Sequence, residues 1–227
     1  MPGSPPSPDR RRPGGAAAVP AGGGLGAALA VIPAAGRSRR MGRPKPLLPF
    51  GDTTVLGAVA AALAGGGARE VVVVAAPDDR ALARHATRLG LACAVNPDPS
   101  RGMLSSVLAG IEALGGAAAL ARRGEPLLVC PADLPALAPA TVRAVLDALA
   151  AGAALALPVH RGRRGHPLGI APRLAAEIAT LDLAAGLRQL LDRHPGELAE
   201  IPVDDPGAVD DVDTPDDYRR LRGRRVP

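Results

Sequence analysis

Aromatic residues are almost absent from this sequence of 227 residues. Trp is missing, and Phe50 and Tyr218 are the single Phe and the single Tyr. Proteins that bind single-stranded nucleic acid use aromatic rings as stacking platforms for the bases, so this composition argues against that function. The formal net charge of +5 then indicates either binding of a small polyanion, such as a nucleoside triphosphate, or an Arg-rich surface without a specific partner.

Cysteines and long apolar runs are also scarce. Cys93 and Cys130 are the two cysteines, and without a metal-ligand spacing or a disulfide framework they are typical of free thiols in a reducing compartment. No apolar run is long enough to cross a bilayer. The basic residues 10–12 precede an Ala-rich stretch similar to a signal peptide, but Pro20 and three following glycines interrupt it. We therefore expect a cytoplasmic protein with neither a membrane nor a nucleic acid as partner.

The hydrophobic fraction of 47% is sufficient for one α/β domain with a core of Ala, Val and Leu. Residues 1–27 consist mostly of Pro, Gly, Ala and Arg. Such a segment buries too little apolar surface to offset its ordering entropy, so a disordered tail is expected there. The domain is predicted over residues 28–221, and residues 222–227 form a short basic tail.

Apolar runs typical of buried strands alternate with helical patterns along the domain. The predicted strands cover residues 28–33, 70–75, 91–95, 126–130, 153–159 and 198–203. The predicted helices cover residues 54–64, 78–89, 104–114, 139–150, 173–180, 184–191 and 214–221. This alternation predicts an α/β fold of three α/β/α layers, Rossmann-like, with a mostly parallel sheet. Ligands of such sheets bind beyond the carboxyl ends of the strands, so the loops after the first five strands are candidates for one site.

The loop after the first strand reads Ala-Ala-Gly-Arg-Ser-Arg-Arg-Met-Gly-Arg-Pro-Lys, residues 34–45. Small residues allow close approach of the backbone to a ligand, and successive N–H groups can bind an anion. Arg40 and Lys45 add positive charge where phosphates would lie. The spacing matches neither a P-loop nor the dinucleotide fingerprint. Taken alone, the loop is better explained as a solvated Arg-rich turn.

Two acidic segments are candidates for a metal site. Residues 127–135, Leu-Leu-Val-Cys-Pro-Ala-Asp-Leu-Pro, form a buried strand that runs into a turn at Asp133. Mg²⁺ prefers carboxylate, phosphate and water oxygens, which Asp133 could complete, although Asp also commonly forms turns. In the later segment, Asp211 and Asp213 point the same way if the backbone is extended. Two further acids, Asp216 and Asp217, are explained by the first turn of a helix.

Two further loops carry polar side chains. Residues 96–106 enter a predicted helix with Ser105 and Ser106, whose hydroxyls could bind a ligand or cap the helix. Residues 161–169 contain three arginines and His166, which could act as a base or as a hydrogen-bonding group. A basic surface turn is the alternative for this second loop.

These segments together resemble the nucleotidyltransferase superfamily, and within it the molybdenum cofactor cytidylyl- and guanylyltransferases. The most specific likeness is residues 34–51, where Pro-Lys-Pro-Leu-Leu-Pro is closer to the cytidylyl branch. The Asp-x-Pro at 133–135, the Asp-x-Asp-Thr-Pro at 211–215 and the Gly-His-Pro at 165–167 also match. Ala132 departs from the Gly or Cys that family members often carry. The likeness extends from about residue 28 to 221 and implies a nucleotide-diphospho-sugar transferase type of fold.

The resemblance implies a role for each candidate. Nucleotide contacts fall to Ala34, Ala35, Gly36, Lys45, Ser105 and Ser106. Arg40, Lys45 and Asp133 would be catalytic, with Mg²⁺ held by Asp133 and Asp213. Gly165 and His166 would lie on the acceptor side, and no proton transfer is assigned to His166 because an acceptor phosphate needs no base near neutral pH.

The expected reaction moves an NMP group from an NTP, CTP ahead of GTP, to a phosphorylated acceptor such as molybdopterin, and releases pyrophosphate. The product could then pass to a molybdoenzyme or its chaperone. A sugar phosphate or another small phosphate ester is the alternative acceptor. Other classes are a nucleotide-sugar glycosyltransferase, which has no leaving pyrophosphate to hold, and a non-catalytic nucleotide-binding accessory protein.

Overall fold

The structure is a computed structural model that describes residues 28–36 and 44–223. The expected N-terminal tail, residues 1–27, lies outside the described residues, as do 224–227 of the expected C-terminal tail. Arg40 and the rest of 37–43 in the basic loop also lie outside them.

The strands of the described residues are β1 (Ala28–Pro33), β2 (Pro49–Phe50), β3 (Thr53–Thr54), β4 (Ala68–Ala75), β5 (Ala92–Val95), β6 (Leu127–Val129), β7 (Leu155–His160), β8 (Arg163–Arg164), β9 (Leu168–Ile170) and β10 (Leu198–Pro202). The helices are α1 (Val55–Gly66), α2 (Arg80–Arg88), α3 (Met103–Ala113), α4 (Ala117–Arg123), α5 (Pro139–Ala150), α6 (Ala175–Ile178), α7 (Arg188–Arg193) and α8 (Pro215–Arg222).

The central sheet has the order β10-β7-β9-β6-β1-β4-β5. Its strands are parallel except β9, which runs antiparallel to both β6 and β7, and β8, which pairs antiparallel with the end of β7. The α/β class and the mostly parallel sheet predicted from the alternating pattern are confirmed.

The inner strands of the sheet are buried on both faces, so each contributes to two cores. In β1, Ala28, Ala30 and Ile32 face α1, α2 and α5, whereas Leu29 and Val31 face α3 and α4. All five side chains are fully buried. This alternation is what a central strand with a helical layer on each side requires.

Several boundaries differ from the sequence predictions. The strand β9 was not predicted, because three residues between Pro167 and Pro172 are too few for a periodic signal. The helix expected over 184–191 begins only at Arg188, since Gly186 has a left-handed backbone (φ 67°) that ends regular helix geometry. The helix expected over 173–180 is reduced to the single turn α6, and α4 was not predicted.

The starts of α1, α2 and α8 are fixed by side-chain caps. Thr54 caps α1 by accepting a hydrogen bond from the Gly57 N–H at 3.2 Å. Asp79 caps α2 by accepting a hydrogen bond from the Leu82 N–H. Thr214 and Asp217 form a reciprocal capping box at α8, as the acidic first turn indicated.

Of the helices in residues 28–36 and 44–223, none alone is long and apolar enough to cross a membrane. The pair α3 and α4 reaches that length together, but it is bent by 60°. Both helices bury apolar side chains in the same core, among them Val107 and Leu120.

A glycine allows α3 to lie directly on the sheet. A Cβ at Gly110 would be 2.5 Å from Cγ1 of Val31 and 3.1 Å from Cγ2 of Val74. Because Val31 belongs to the strand that leads into the basic loop, this contact fixes the base of the predicted site.

We predict that Gly110→Ala lowers the free energy of unfolding by about 1–3 kcal/mol, since an added methyl overpacks this contact. The matched control is Gly65→Ala on α1, where the nearest atoms to an added Cβ lie 3.4 Å away on Pro139. There the free energy should be unchanged or rise by up to about 1 kcal/mol, because Ala favours helix. Urea denaturation measures both, and an equal effect at the two positions would contradict the packing argument.

Candidate active site

The predicted site residues that the structure describes lie at one edge of the sheet. The parallel strands β1, β4, β6 and β7 end there, and the antiparallel β9 begins there, with Leu168 paired to Val129 at the end of β6. The loop before β9, which carries His166, therefore lies at the same edge as the loop after β6, which carries Asp133. The reversal of β9 brings the two together.

Lys45 joins the two acidic segments. Its Nζ lies 2.6 Å from Oδ1 of Asp213 and 3.6 Å from Oδ2 of Asp133. The lysine side chain is only 12% exposed. The expected convergence of the basic loop and two distant acids is therefore present for Lys45.

A buried valine places the later acids. The Val212 N–H donates to the carbonyl of Asp133 at 2.9 Å, which ties the two acidic segments together. The Val212 side chain is fully buried, and the neighbouring Asp211 and Asp213 are directed to the other side. The core around Val212 consists of Leu48, Phe50, Val55 and Leu221.

Three carboxylates form a candidate divalent-metal site. One oxygen each from Asp133, Asp211 and Asp213 lies within 4.8 Å of the others. A set of carboxylate oxygens with room for phosphate and water suits a hard divalent cation. Asp211, which sequence reasoning left outside the predicted metal pair, belongs to this group.

The pKa of Asp133 is raised overall, although opposing effects act on it. Burial raises the pKa of its carboxyl group above the ordinary value, Lys45 lowers it, and Asp211 and Asp213 raise it again. An additional positive charge at the site would therefore stabilise the ionised form.

A cavity of about 280 Å³ opens beside these charges. Most of the predicted nucleotide contacts line it. The lining residues are Pro33, Ala34, Ala35, Gly36, Lys45, Pro46, Pro99, Gly102, Met103, Ser106, Pro131, Ala132 and Asp133. A second cavity of about 630 Å³ adjoins it and shares Ala35, Gly36 and Pro99. Contact of these residues with a nucleotide stays a prediction.

The two serines are held by a residue that sequence reasoning missed. The Asn96 side chain, in a residue that is 1% exposed, donates from Nδ2 to Oγ of Ser105 at 2.8 Å and of Ser106 at 2.9 Å. Ser106 faces the first cavity, whereas the Ser105 hydroxyl donates to the Gly102 carbonyl at 2.7 Å. Neither hydroxyl caps α3, which begins without a side-chain cap at Gly102. The position of Asn96 directly after β5 was the available signal.

His166 has a buried ring atom without a partner. Within the described part of the chain, Nδ1 makes no hydrogen bond. Burial lowers the pKa of His166 to about 4, with a smaller opposing effect from a hydrogen bond to the Val129 backbone. The imidazole is therefore neutral at physiological pH and presents an unused polar atom.

Gly165 fits a close backbone contact. A Cβ there would lie 2.4 Å from the Ala208 carbonyl oxygen, which also accepts a hydrogen bond from the His166 N–H at 2.9 Å. Glycine therefore serves the packing of this loop. Contact of Gly165 and His166 with an acceptor stays a prediction.

The model of the MobA-like NTP transferase domain matches residues 30–198. The chain belongs to the MobA-like NTP transferase family. The resemblance read from the loop and acidic motifs is confirmed, and the chain is a nucleotidyltransferase.

One named relative and several solved structures are similar to this chain over most of their length. The molybdenum cofactor cytidylyltransferase of Escherichia coli (strain K12) is 26% identical over 194 residues, which is 86% of this chain and 95% of the relative. The crystal structure of Rv0371c from Mycobacterium tuberculosis H37Rv is 31% identical with a TM-score of 0.70, and covers 88% of this chain and 100% of that one. A second structure of Rv0371c, in complex with manganese, is 30% identical with a TM-score of 0.64 over 86% of this chain and 97% of that one.

We predict that His166 makes this transferase less stable in mild acid. Its pKa is about 4 in the folded state against an ordinary 6.5, so the unfolded chain binds more protons between these values. Stability therefore falls as the pH drops from about 6.5 to 4, by up to about 3 kcal/mol from this residue. His166→Gln should remove that part of the acid sensitivity in urea denaturation at each pH.

His194 provides the control of opposite sign. Its Nε2 lies 2.8 Å from Oε2 of Glu177, and its Nδ1 lies 2.9 Å from Oε1 of Glu197. These hydrogen bonds raise the pKa of His194. Its stabilising contribution is present below pH 6.5 and is lost as the pH rises through the folded pKa. His194→Gln should therefore remove stability at low pH. Parallel pH profiles for the two variants would contradict the assignment.

Proposed function

We propose that this chain transfers a cytidylyl group from CTP, in preference to GTP, to the phosphate of a small acceptor, with molybdopterin as the favoured acceptor. The observation that carries the proposal is the meeting of Lys45, Asp133 and Asp213 beside the cavity lined by residues 34–36. The 26% identity to a molybdenum cofactor cytidylyltransferase and the Pro-Lys-Pro-Leu-Leu-Pro sequence at 44–49 support the choice of CTP and acceptor.

In this reaction an acceptor phosphate oxygen attacks the α-phosphorus of CTP. The bond from that phosphorus to the bridging oxygen of the β-phosphate breaks, and pyrophosphate leaves with the electron pair. The acceptor phosphate is already ionised near neutral pH, so no side chain has to remove a proton. The contribution of the protein is positioning and electrostatic stabilisation.

The described residues divide these tasks by location. The backbone at 34–36 would bind phosphate oxygens, and Lys45 would offset the charge that develops on the leaving group. Ser106, held by Asn96, would orient the nucleoside. Neutral His166 would lie on the acceptor side with Gly165, and Arg40 is proposed as a second cation of the phosphate clamp.

The acidic group would hold Mg²⁺ through Asp133 and Asp213, with Asp211 as a further ligand. When bound, the cation supplies positive charge to the phosphate oxygens. The manganese complex of Rv0371c supports a divalent cation in this class of structure. The three acids also argue against a non-catalytic accessory protein, which has no need of a metal site.

The two cysteines support the proposed cellular setting. Cys93 and Cys130 are free thiols, as expected for a protein of the reducing cytoplasm.

A cytidylylated molybdopterin would be handed to a molybdoenzyme or its chaperone. A sugar phosphate remains the second candidate acceptor, because the nucleotide half of the site does not select the acceptor.

We predict pyrophosphate release with CTP exceeding that with GTP, ATP and UTP when Mg²⁺ and molybdopterin are supplied. A coupled pyrophosphate assay with each NTP against molybdopterin and a sugar phosphate measures this directly. A preference for GTP would contradict the choice of CTP and favour the guanylyl branch. Turnover with the sugar phosphate but not with molybdopterin would make a sugar phosphate the acceptor.

We predict that Asp133→Ala lowers turnover at least about 100-fold, since it removes electrostatic stabilisation from the transition state. The fold should persist, because Asp133 contributes to tertiary pairing through its backbone carbonyl. Asp147→Ala on the exposed face of α5 is the matched control. Near-normal kinetics of Asp133→Ala, with circular dichroism like that of the control, would refute the metal assignment.

A further inference from the structure

The segment from residue 205 to 213 follows β10 and connects three parts of the site. It contacts the loop after β6 that carries Asp133, it contacts the loop of His166, and it carries Asp211 and Asp213 itself. The first residue of this segment, Asp205, has no place in the chemistry described above. Its side chain nevertheless accepts three hydrogen bonds.

Asp205 binds the far end of the Asp133 loop. Its Oδ2 accepts hydrogen bonds from the Ala138 N–H at 3.0 Å and from the Thr141 hydroxyl at 2.6 Å, at the start of α5. Its Oδ1 accepts from the Gly207 N–H at 2.9 Å. One carboxylate therefore ties its own turn to the residue at which the Asp133 loop becomes helix.

The turn after Asp205 is stacked directly on that loop. A Cβ at Gly207 would lie 2.0 Å from the Ala136 carbonyl oxygen, so only glycine allows this backbone contact. The next residue, Ala208, is fully buried and accepts the hydrogen bond from the His166 N–H. The position of the turn is thereby linked to both neighbouring loops.

The Asp133 loop is consequently held at two points by one segment. Near its beginning, the Asp133 carbonyl accepts from the Val212 N–H at 2.9 Å. At its end, the Ala138 N–H donates to Asp205. These two contacts hold the Asp133 loop against the segment that carries Asp213.

We propose that Asp205 is a positioning residue, whose hydrogen bonds to Ala138 and Thr141 hold Asp133 at the distance from Asp211 and Asp213 that a divalent cation requires. The inference rests on the metal site of the proposed function, but not on the choice of nucleotide or acceptor. Its measurable consequence is the affinity for the cation alone, since residues that orient metal ligands commonly change that affinity by 10–100-fold when mutated.

The test is Mn²⁺ binding to the full chain without nucleotide, followed by electron paramagnetic resonance of the free ion. In Asp205→Asn an amide nitrogen replaces one acceptor oxygen, so the donors at Ala138, Thr141 and Gly207 cannot all be satisfied. We expect the Kd for Mn²⁺ to rise about 10-fold. In the transfer reaction, Asp205→Asn should need a higher Mg²⁺ concentration for half-maximal activity. Its kcat should be largely restored at saturating Mg²⁺.

Two matched variants separate positioning from charge and from general stability. Thr141→Val removes one of the hydrogen bonds and leaves every charge in place, and the Kd should rise in the same direction by a smaller factor. Glu125→Gln makes the same carboxylate-to-amide change at the opposite end of β6, where Glu125 accepts from Arg69 and Arg123. It should lower the melting temperature and leave the Kd for Mn²⁺ unchanged.

Unchanged Mn²⁺ affinity in Asp205→Asn and Thr141→Val would overturn the inference, and so would absence of Mn²⁺ binding by the wild-type chain. Weakening in Asp205→Asn alone, with normal binding by Thr141→Val, would assign the effect to charge and also overturn it. If the wild-type chain binds Mn²⁺ in the expected way but releases no pyrophosphate from any NTP, the proposed function fails while the role of Asp205 stands.

Discussion

The site depends on a cluster of like charges that the fold holds together. Three carboxylate oxygens within 4.8 Å of one another repel by an amount on the order of a few kcal/mol per pair near a protein surface. Lys45 offsets part of this repulsion through its 2.6 Å contact with Asp213. Until a cation is bound, packing has to offset the remaining repulsion, above all the packing of the fully buried Val212. The acids are therefore arranged in advance for a positive ligand.

The two ends of β6 differ in how the charges around them are paired. At the edge where β6 begins, Glu125 pairs with Arg69 and Arg123 at 2.6 Å, and Arg123 also reaches Glu70 at 2.8 Å, so charge is neutralised within the protein. At the edge where β6 ends, Asp133 is left beside like charges and a cavity. The short buried strand β6 thus separates an ion-pair network that is neutral within the protein from a site where carboxylates lie beside one another.

The sequence was most informative where the chemistry is local. The strand β1, the small residues after it, Lys45 and Asp133 could all be found from their order along the chain. Asn96, Asp205 and β9 could not, because their roles arise from contacts with distant segments. Asp205 resembles any turn residue before a proline, and its importance depends on Thr141, which lies 64 positions earlier. The meeting of Lys45 with Asp213, across 168 positions, was inferred only through family resemblance.

The reversed strand β9 also divides the sheet into two parts. Between β7 and β10 the chain makes an excursion that enters the sheet antiparallel to its neighbours and leaves again, carrying His166. The pairing among β1, β4, β5 and β6 involves β9 only at its border with β6. Changes of length in the loops of this excursion therefore leave the pairing among those four strands unaltered.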